Sequence, residues 1–126
     1  MPLTKTQAYK IYIVDDDASV RRALGRLIRA EGLSFESFAS GEEFLAAITD
    51  DARGCLVMDI RMPGLTGYDV QKQLRNRGSN IRVIALSAQD DEDAREKARE
   101  LGAVAFFRKP VDDQALLDAI HWAIRP

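Results

Sequence analysis

Several things are scarce in this sequence, and each scarcity excludes something. One cysteine, Cys55, rules out an internal disulfide and a cysteine-based zinc site. It fits a reducing compartment, and the expected setting is the cytoplasm. One histidine, His121, lies far along the chain from Asp15, Asp16, Asp17 and Asp59, so no imidazole-rich metal site is expected. No apolar run is longer than a short strand, which excludes a bilayer-spanning helix. The N-terminal residues Met1-Pro2-Leu3-Thr4-Lys5-Thr6-Gln7 have no apolar signal core and read as a polar arm. Charge of one sign is also missing. The 18 basic and 20 acidic side chains leave a net charge of -2, with no global field to hold nucleic acid or an anionic membrane. Neither a GxGxxG fingerprint nor a P-loop occurs.

What is present is ordinary in amount and regular in order. The 126 residues, 46% of them hydrophobic, make one domain with a core of its own. Short apolar runs alternate with helical patterns. Lys10–Val14, Leu33–Phe38, Cys55–Met58, Ile81–Leu86 and Val104–Phe107 read as strands. Between them, Val20, Ala23, Leu24, Leu27 and Ile28 recur at helical spacing, and Gly32 closes that helix. Ser40-Gly41-Glu42-Glu43 has capping-box form ahead of Phe44, Leu45 and Ile48. Thr66 caps a helix carrying Val70 and Leu74. Asp90–Leu101 is a polar helix in which only Ala94, Ala98 and Leu101 face inward. A last helix, capped by Asp112 or Asp113, buries Leu116, Leu117, Ile120 and Ile124. Five β-α units predict an α/β fold: a doubly wound parallel sheet covered on both faces, with strands buried on both sides. The thin stripe of the fourth helix predicts loose docking and easy movement.

In such sheets ligands gather at the carboxyl ends of the strands. Strand one ends in Asp15-Asp16-Asp17, strand three in Asp59, strand four in Ser87, and strand five leads into Lys109-Pro110. Three carboxylates converging on one rim repel, so either their pKa values rise or a cation neutralises them. Oxygen donors alone suit a hard cation such as Mg²⁺. Carboxylate, divalent cation, lysine and hydroxyl together form the equipment for phosphoryl transfer, in which a carboxylate attacks phosphorus and becomes an acyl phosphate. The plainer readings are that Asp17 is a helix cap, Cys55 a core thiol, Met58 and Met62 packing residues, and His121 solvent-facing. Trp122 falls opposite the apolar stripe and is expected to be partly exposed.

Val14-Asp15-Asp16-Asp17, Met58-Asp59-Ile60-Arg61-Met62-Pro63-Gly64-Leu65-Thr66-Gly67, Leu86-Ser87-Ala88, Gly102-Ala103 and Lys109-Pro110 jointly resemble the receiver domain of bacterial response regulators. Within that family the Asp-Ile-Arg-Met-Pro-Gly stretch looks most like the FixJ/NarL type. The likeness runs over roughly residues 10–124, which places the arm at 1–9 and the receiver domain at 10–126. It implies a CheY-like, flavodoxin-like (βα)5 fold with strand order 2-1-3-4-5. It implies that Asp59 is the phosphoacceptor, that Asp16 binds Mg²⁺ directly and Asp15 through water, and that the Arg61 backbone carbonyl supplies a further metal oxygen. Ser87 would hydrogen-bond the phosphoryl group, Lys109 would pair with it, and Phe106 stands at the switch aromatic. A cis Lys109-Pro110 bond is part of the pattern. Phe106 has no hydroxyl, so its switching uses ring burial alone. Arg61 and Gln89 flank the phosphoryl site and are expected to set phosphate lifetime.

The implied function is a phosphorylation-activated switch, not a turnover enzyme. It would be loaded by a sensor histidine kinase or phosphotransfer protein. Its output would be a domain or partner reached through the face of helix four, strand five and helix five, with homodimerisation on phosphorylation and transcription as the regulated process. Direct contact with nucleic acid or membrane is not expected. The chain stops where helix five should end, as either a stand-alone receiver or the excised receiver of a longer regulator. The alternatives are weaker. A haloacid-dehalogenase-type phosphatase needs an acid where Arg61 stands. An FMN carrier would not place three aspartates at its phosphate loop. A receiver-like docking module that is never phosphorylated would not need the full site.

Overall fold

Apolar β-branched runs separated by capped helices fold here as strict alternation. The computed structural model describes residues 9–88 and 92–125, so most of the expected N-terminal arm lies outside it. The strands are β1 (Tyr9–Val14), β2 (Phe35–Phe38), β3 (Arg53–Asp59), β4 (Arg82–Ser87) and β5 (Ala103–Arg108). The helices are α1 (Ala18–Ala30), α2 (Gly41–Ala47), α3 (Gly67–Asn76), α4 (Glu92–Glu100) and α5 (Asp113–Ala123). All strand pairs are parallel, in the order β2-β1-β3-β4-β5. This is the expected doubly wound sheet.

One face of the sheet packs Ile11, Ile13, Val57, Ile84 and Leu86 against Leu24 and Ile28 of α1 and Leu116 and Ile120 of α5. The opposite face packs Tyr12, Val14, Leu56 and Met58 against Phe44 and Leu45 of α2 and Val70 and Leu74 of α3. A smaller cluster of Ile60, Ala85 and Ala98 carries α4 and takes in Phe106. Burying a methyl contributes only about 0.8 kcal/mol. Two buried alanines, Ala94 and Ala98, therefore hold α4 weakly by apolar contact, as its stripe predicts.

Some expectations need correction. Only the three central strands are buried on both sides. The edge strands β2 and β5 are half exposed, because a sheet edge has no neighbour to cover it. β2 also begins at Phe35, not Leu33, and Ala23, counted in the α1 stripe, is exposed. The Ser40 hydroxyl accepts from the Glu43 N–H, but the reciprocal capping box is completed at Thr66 and Asp69. Asp17 and Asp112 cap α1 and α5 as anticipated. Cys55 is fully buried and Trp122 is 54% exposed. His121 is exposed at 3.0 Å from Glu31.

Candidate functional site

The register sets the strand ends level. Val14 pairs with Met58, Asp59 with Leu86, and Ser87 with Arg108. The residues that follow therefore share one rim. Asp15, Asp16 and Asp59 each place a carboxylate oxygen within 4.8 Å of the others. Asp15 and Asp59 are buried and Asp16 is exposed. Lys109 reaches in from beyond β5, with its Nζ 2.9 Å from Asp15 Oδ2 and 3.3 Å from Asp59 Oδ2. The Lys109-Pro110 bond is cis, and the Lys109 N–H donates to the Ser87 carbonyl at 2.8 Å. Ser87 is buried at the end of β4 on the same rim.

The loops are held by backbone and side-chain donors. The Asp17 N–H donates to Asp15 Oδ1 (2.9 Å), and Arg21 Nη1 donates to the Asp15 carbonyl (2.6 Å). After β3, the Arg61 N–H donates to Asp59 Oδ1 (3.1 Å). The Gly67 N–H closes the loop onto the Ile60 carbonyl at 2.8 Å. A Cβ on Gly67 would stand 2.7 Å from Ile60 Cα, so the close approach of α3 to the loop requires glycine. The capping box then fixes the start of α3.

Electrostatics follow from this crowding. Burial pushes the Asp59 carboxyl above its ordinary value and the Asp15 charge adds to that, while Lys109 and the Arg61 N–H oppose it. For Lys109, burial works against the charged form. The hydrogen bond and charge of Asp15, followed by those of Asp59, outweigh it and leave the ammonium above its usual range. Three convergent carboxylates facing one lysine leave an excess of negative charge. An all-oxygen donor set of this kind fits a hard divalent cation.

The structure brings together Asp15, Asp16, Asp59 and Lys109, and places Ser87 at the same edge. The Arg61 side chain is exposed on the loop beside them. Phe106 sits one strand away, half-buried against the α4 cluster, with the Arg95 guanidinium 4.8 Å above its ring. Gln89 lies outside the described residues. Sequence reasoning missed Arg21, whose only signal is its place one turn after the aspartates. It also missed Gln71, a polar residue beside the apolar stripe of α3 that is fully buried and donates to the Ala98 carbonyl at 2.9 Å.

A parallel five-stranded α/β domain with an acidic triad and a lysine at its carboxyl rim defines a narrow class. The chain belongs to the response regulator receiver domain family, whose sequence pattern matches residues 11–121. It is 44% identical over 119 residues to the response regulator protein TodT of Pseudomonas putida, covering 94% of this chain and 52% of that one. The response regulator StyR superposes with a TM-score of 0.86 at 38% identity, covering 91% of this chain and 58% of StyR. Full-length FixJ from B. japonicum gives a TM-score of 0.85 at 35% identity, covering 93% of this chain and 58% of FixJ. The chain thus spans about half the length of the curated relatives it matches. No helix among the described residues is long and apolar enough to cross a membrane.

Proposed function

We propose that this receiver accepts a phosphoryl group on Asp59 from the phosphohistidine of a sensor kinase or phosphotransfer protein. The observation that carries the reading is Lys109 bridging Asp15 and Asp59 inside a cluster of three carboxylates. An Asp59 oxygen attacks phosphorus, the histidine nitrogen leaves, and an acyl phosphate forms. Mg²⁺, held by Asp15, Asp16, Asp59 and the Arg61 carbonyl, would supply positive charge to the equatorial oxygens when bound. Lys109 turns from the carboxylates to the phosphoryl oxygens, and Ser87 donates its hydroxyl to them.

The new dianion recruits Ser87 and with it the segment leading into α4. Phe106 then fills the space that Ser87 leaves. These shifts bias the face formed by α4, β5 and α5 between two arrangements, and a partner, an output domain or a second copy reads the difference. By analogy with relatives named as transcriptional regulators, the regulated process is transcription in the cytoplasm, with residues 10–126 acting as the receiver and not as a turnover enzyme.

Intact mass after incubation with acetyl phosphate tests the reading. One added phosphoryl group is expected with Mg²⁺, and none with EDTA or in Asp59→Asn. Failure of the folded, Mg²⁺-binding protein to take phosphate from either acetyl phosphate or a phosphohistidine donor would leave only a docking module. Arg61 and Gln89 govern how water reaches the acyl phosphate. Exchanging both should change the autodephosphorylation rate, and an unchanged rate would remove them from that role.

A further inference from the structure

We infer that the groove between α1 and the outer edge of β2 binds a short, extended, acidic segment of a partner protein by strand addition. The groove, about 370 Å³, is lined by Arg21, Arg22, Arg26 and Arg29 of α1 and by Phe35 and Ser37 of β2. No carboxylate lines it, and none of these arginines pairs with an acidic side chain among the described residues. Arg21 is engaged with the Asp15 carbonyl and Arg22 reaches the Ser19 hydroxyl at 3.5 Å, while Arg22, Arg26 and Arg29 are all exposed on consecutive turns. In a chain of net charge -2, such a one-signed row is a local feature and not the average surface.

The floor of the groove is built close. The Phe35 ring lies beneath Gly25, where a Cβ would meet ring carbon Cζ at 2.7 Å, and Arg29 stacks on the same ring with its Cζ 5.4 Å from the centroid. The second observation is the strand edge. Among the described residues β2 is the terminal strand, with β1 on one side and no strand on the other. The carbonyls of Ser34 and Phe38 point toward β1, accepting from Ile11 (3.1 Å) and Asp15 (3.2 Å). By alternation, the backbone N–H and C=O of Phe35 and Ser37 point outward, from the two β2 residues that line the groove.

An added strand would satisfy those groups. Its alternate side chains would face α1, where three guanidiniums await carboxylates. Four residues of β2 give little pairing on their own, so the arginines must supply the rest of the affinity and choose the partner. Duplex nucleic acid offers the charge but cannot pair with a strand edge.

The test uses the whole chain and three fluorescent probes at low salt: an acetylated decapeptide alternating Glu with Thr, the same peptide N-methylated at alternate residues, and a short DNA duplex. Anisotropy should show the Glu/Thr peptide binding at least about tenfold tighter than either other probe. Arg22→Gln combined with Arg26→Gln should weaken that binding about tenfold while helicity and melting temperature hold. In amide NMR spectra the Phe35 and Ser37 N–H signals should shift with peptide. Equal binding of the N-methylated peptide or the duplex, or binding unaffected by the double substitution, overturns the inference. If the substituted chain melts early, Arg26→Lys with Arg22→Lys, which retain charge, must restore binding for the inference to stand.

Discussion

At the scale of single residues, the rim concentrates charge that the fold by itself tolerates poorly. Asp59 is raised above the ordinary carboxylate range chiefly by burial. A group whose pKa rises on folding favours the folded state while it is protonated. That contribution is present below its unfolded pKa and is lost as pH rises through its folded value. Where Asp59 is ionised in the folded protein, its charge therefore lowers stability. Asp59→Asn should raise the melting midpoint by roughly 2–5 °C in EDTA at pH 7. The gap should close as the pH falls through the raised pKa, where Asp59 is already neutral, and calorimetry at a series of pH values would check this. Cys55 lies at the other extreme. Burial pushes its thiol up to about 12, so almost no thiolate exists near neutrality. Thiol reagents at pH 8 should leave the native protein unlabelled and report only global unfolding. Labelling at the rate of an exposed thiol would contradict the burial.

At the scale of elements, α4 is the informative one. Its thin apolar contact is supplemented by a row of donors from α3. The Tyr68 hydroxyl donates to the Ala94 carbonyl at 3.4 Å, Gln71 Nε2 to Ala98 at 2.9 Å, and Arg75 Nη2 to Glu100 at 2.7 Å. The last two carbonyls lie in the final turn, where a helix has no N–H of its own to offer. α4 is therefore held most closely at its C-terminal end, with only the longer Tyr68 contact reaching its first turn. The thin stripe foretold weak apolar docking, and α3 supplies polar contacts that no pattern within α4 announces. Gln71 Oε1 is buried and has no partner among the described residues. Arg75→Ala should change global stability by no more than about 1 kcal/mol, because the side chain is exposed. Hydrogen exchange in the last turn of α4 should nevertheless quicken severalfold while β4 is unaffected. Equal protection in both proteins would show that Arg75 does not anchor the helix.

At the scale of the whole molecule, the sheet acts as a ruler. Three neighbouring strands end at one level, and the loops after them converge because a parallel sheet sends every carboxyl end the same way. The opposite end is closed by different means. Arg82, at the start of β4, donates to the carbonyls of Ala123 (2.7 Å) and Arg125 (3.1 Å), tying down the end of α5. The carboxylate rim at one end and the tied-down end of the last helix at the other are thus joined through a single sheet. The groove beside β2 lies at an edge of that sheet, away from α4 and β5.

The sequence by itself determined the order of elements, because apolar runs and helical stripes are local signals with periods of two and 3.6. It also determined which side chains end the strands, and with them Asp15, Asp16, Asp59, Ser87 and Lys109. The capping aspartates Asp17 and Asp112 were legible for the same reason, since a cap satisfies N–H groups two or three residues away. The tertiary structure alone decided that Lys109 bridges Asp15 and Asp59, a contact spanning 94 residues between one pair. It alone decided that Arg21 serves the Asp15 carbonyl, that Gln71 holds Ala98, and that four arginines of one helix line the groove beside β2. These depend on how separate elements sit against each other, which no local period encodes. The exposure of β2 and β5 belongs with them, because a strand is an edge only by virtue of the neighbour it lacks.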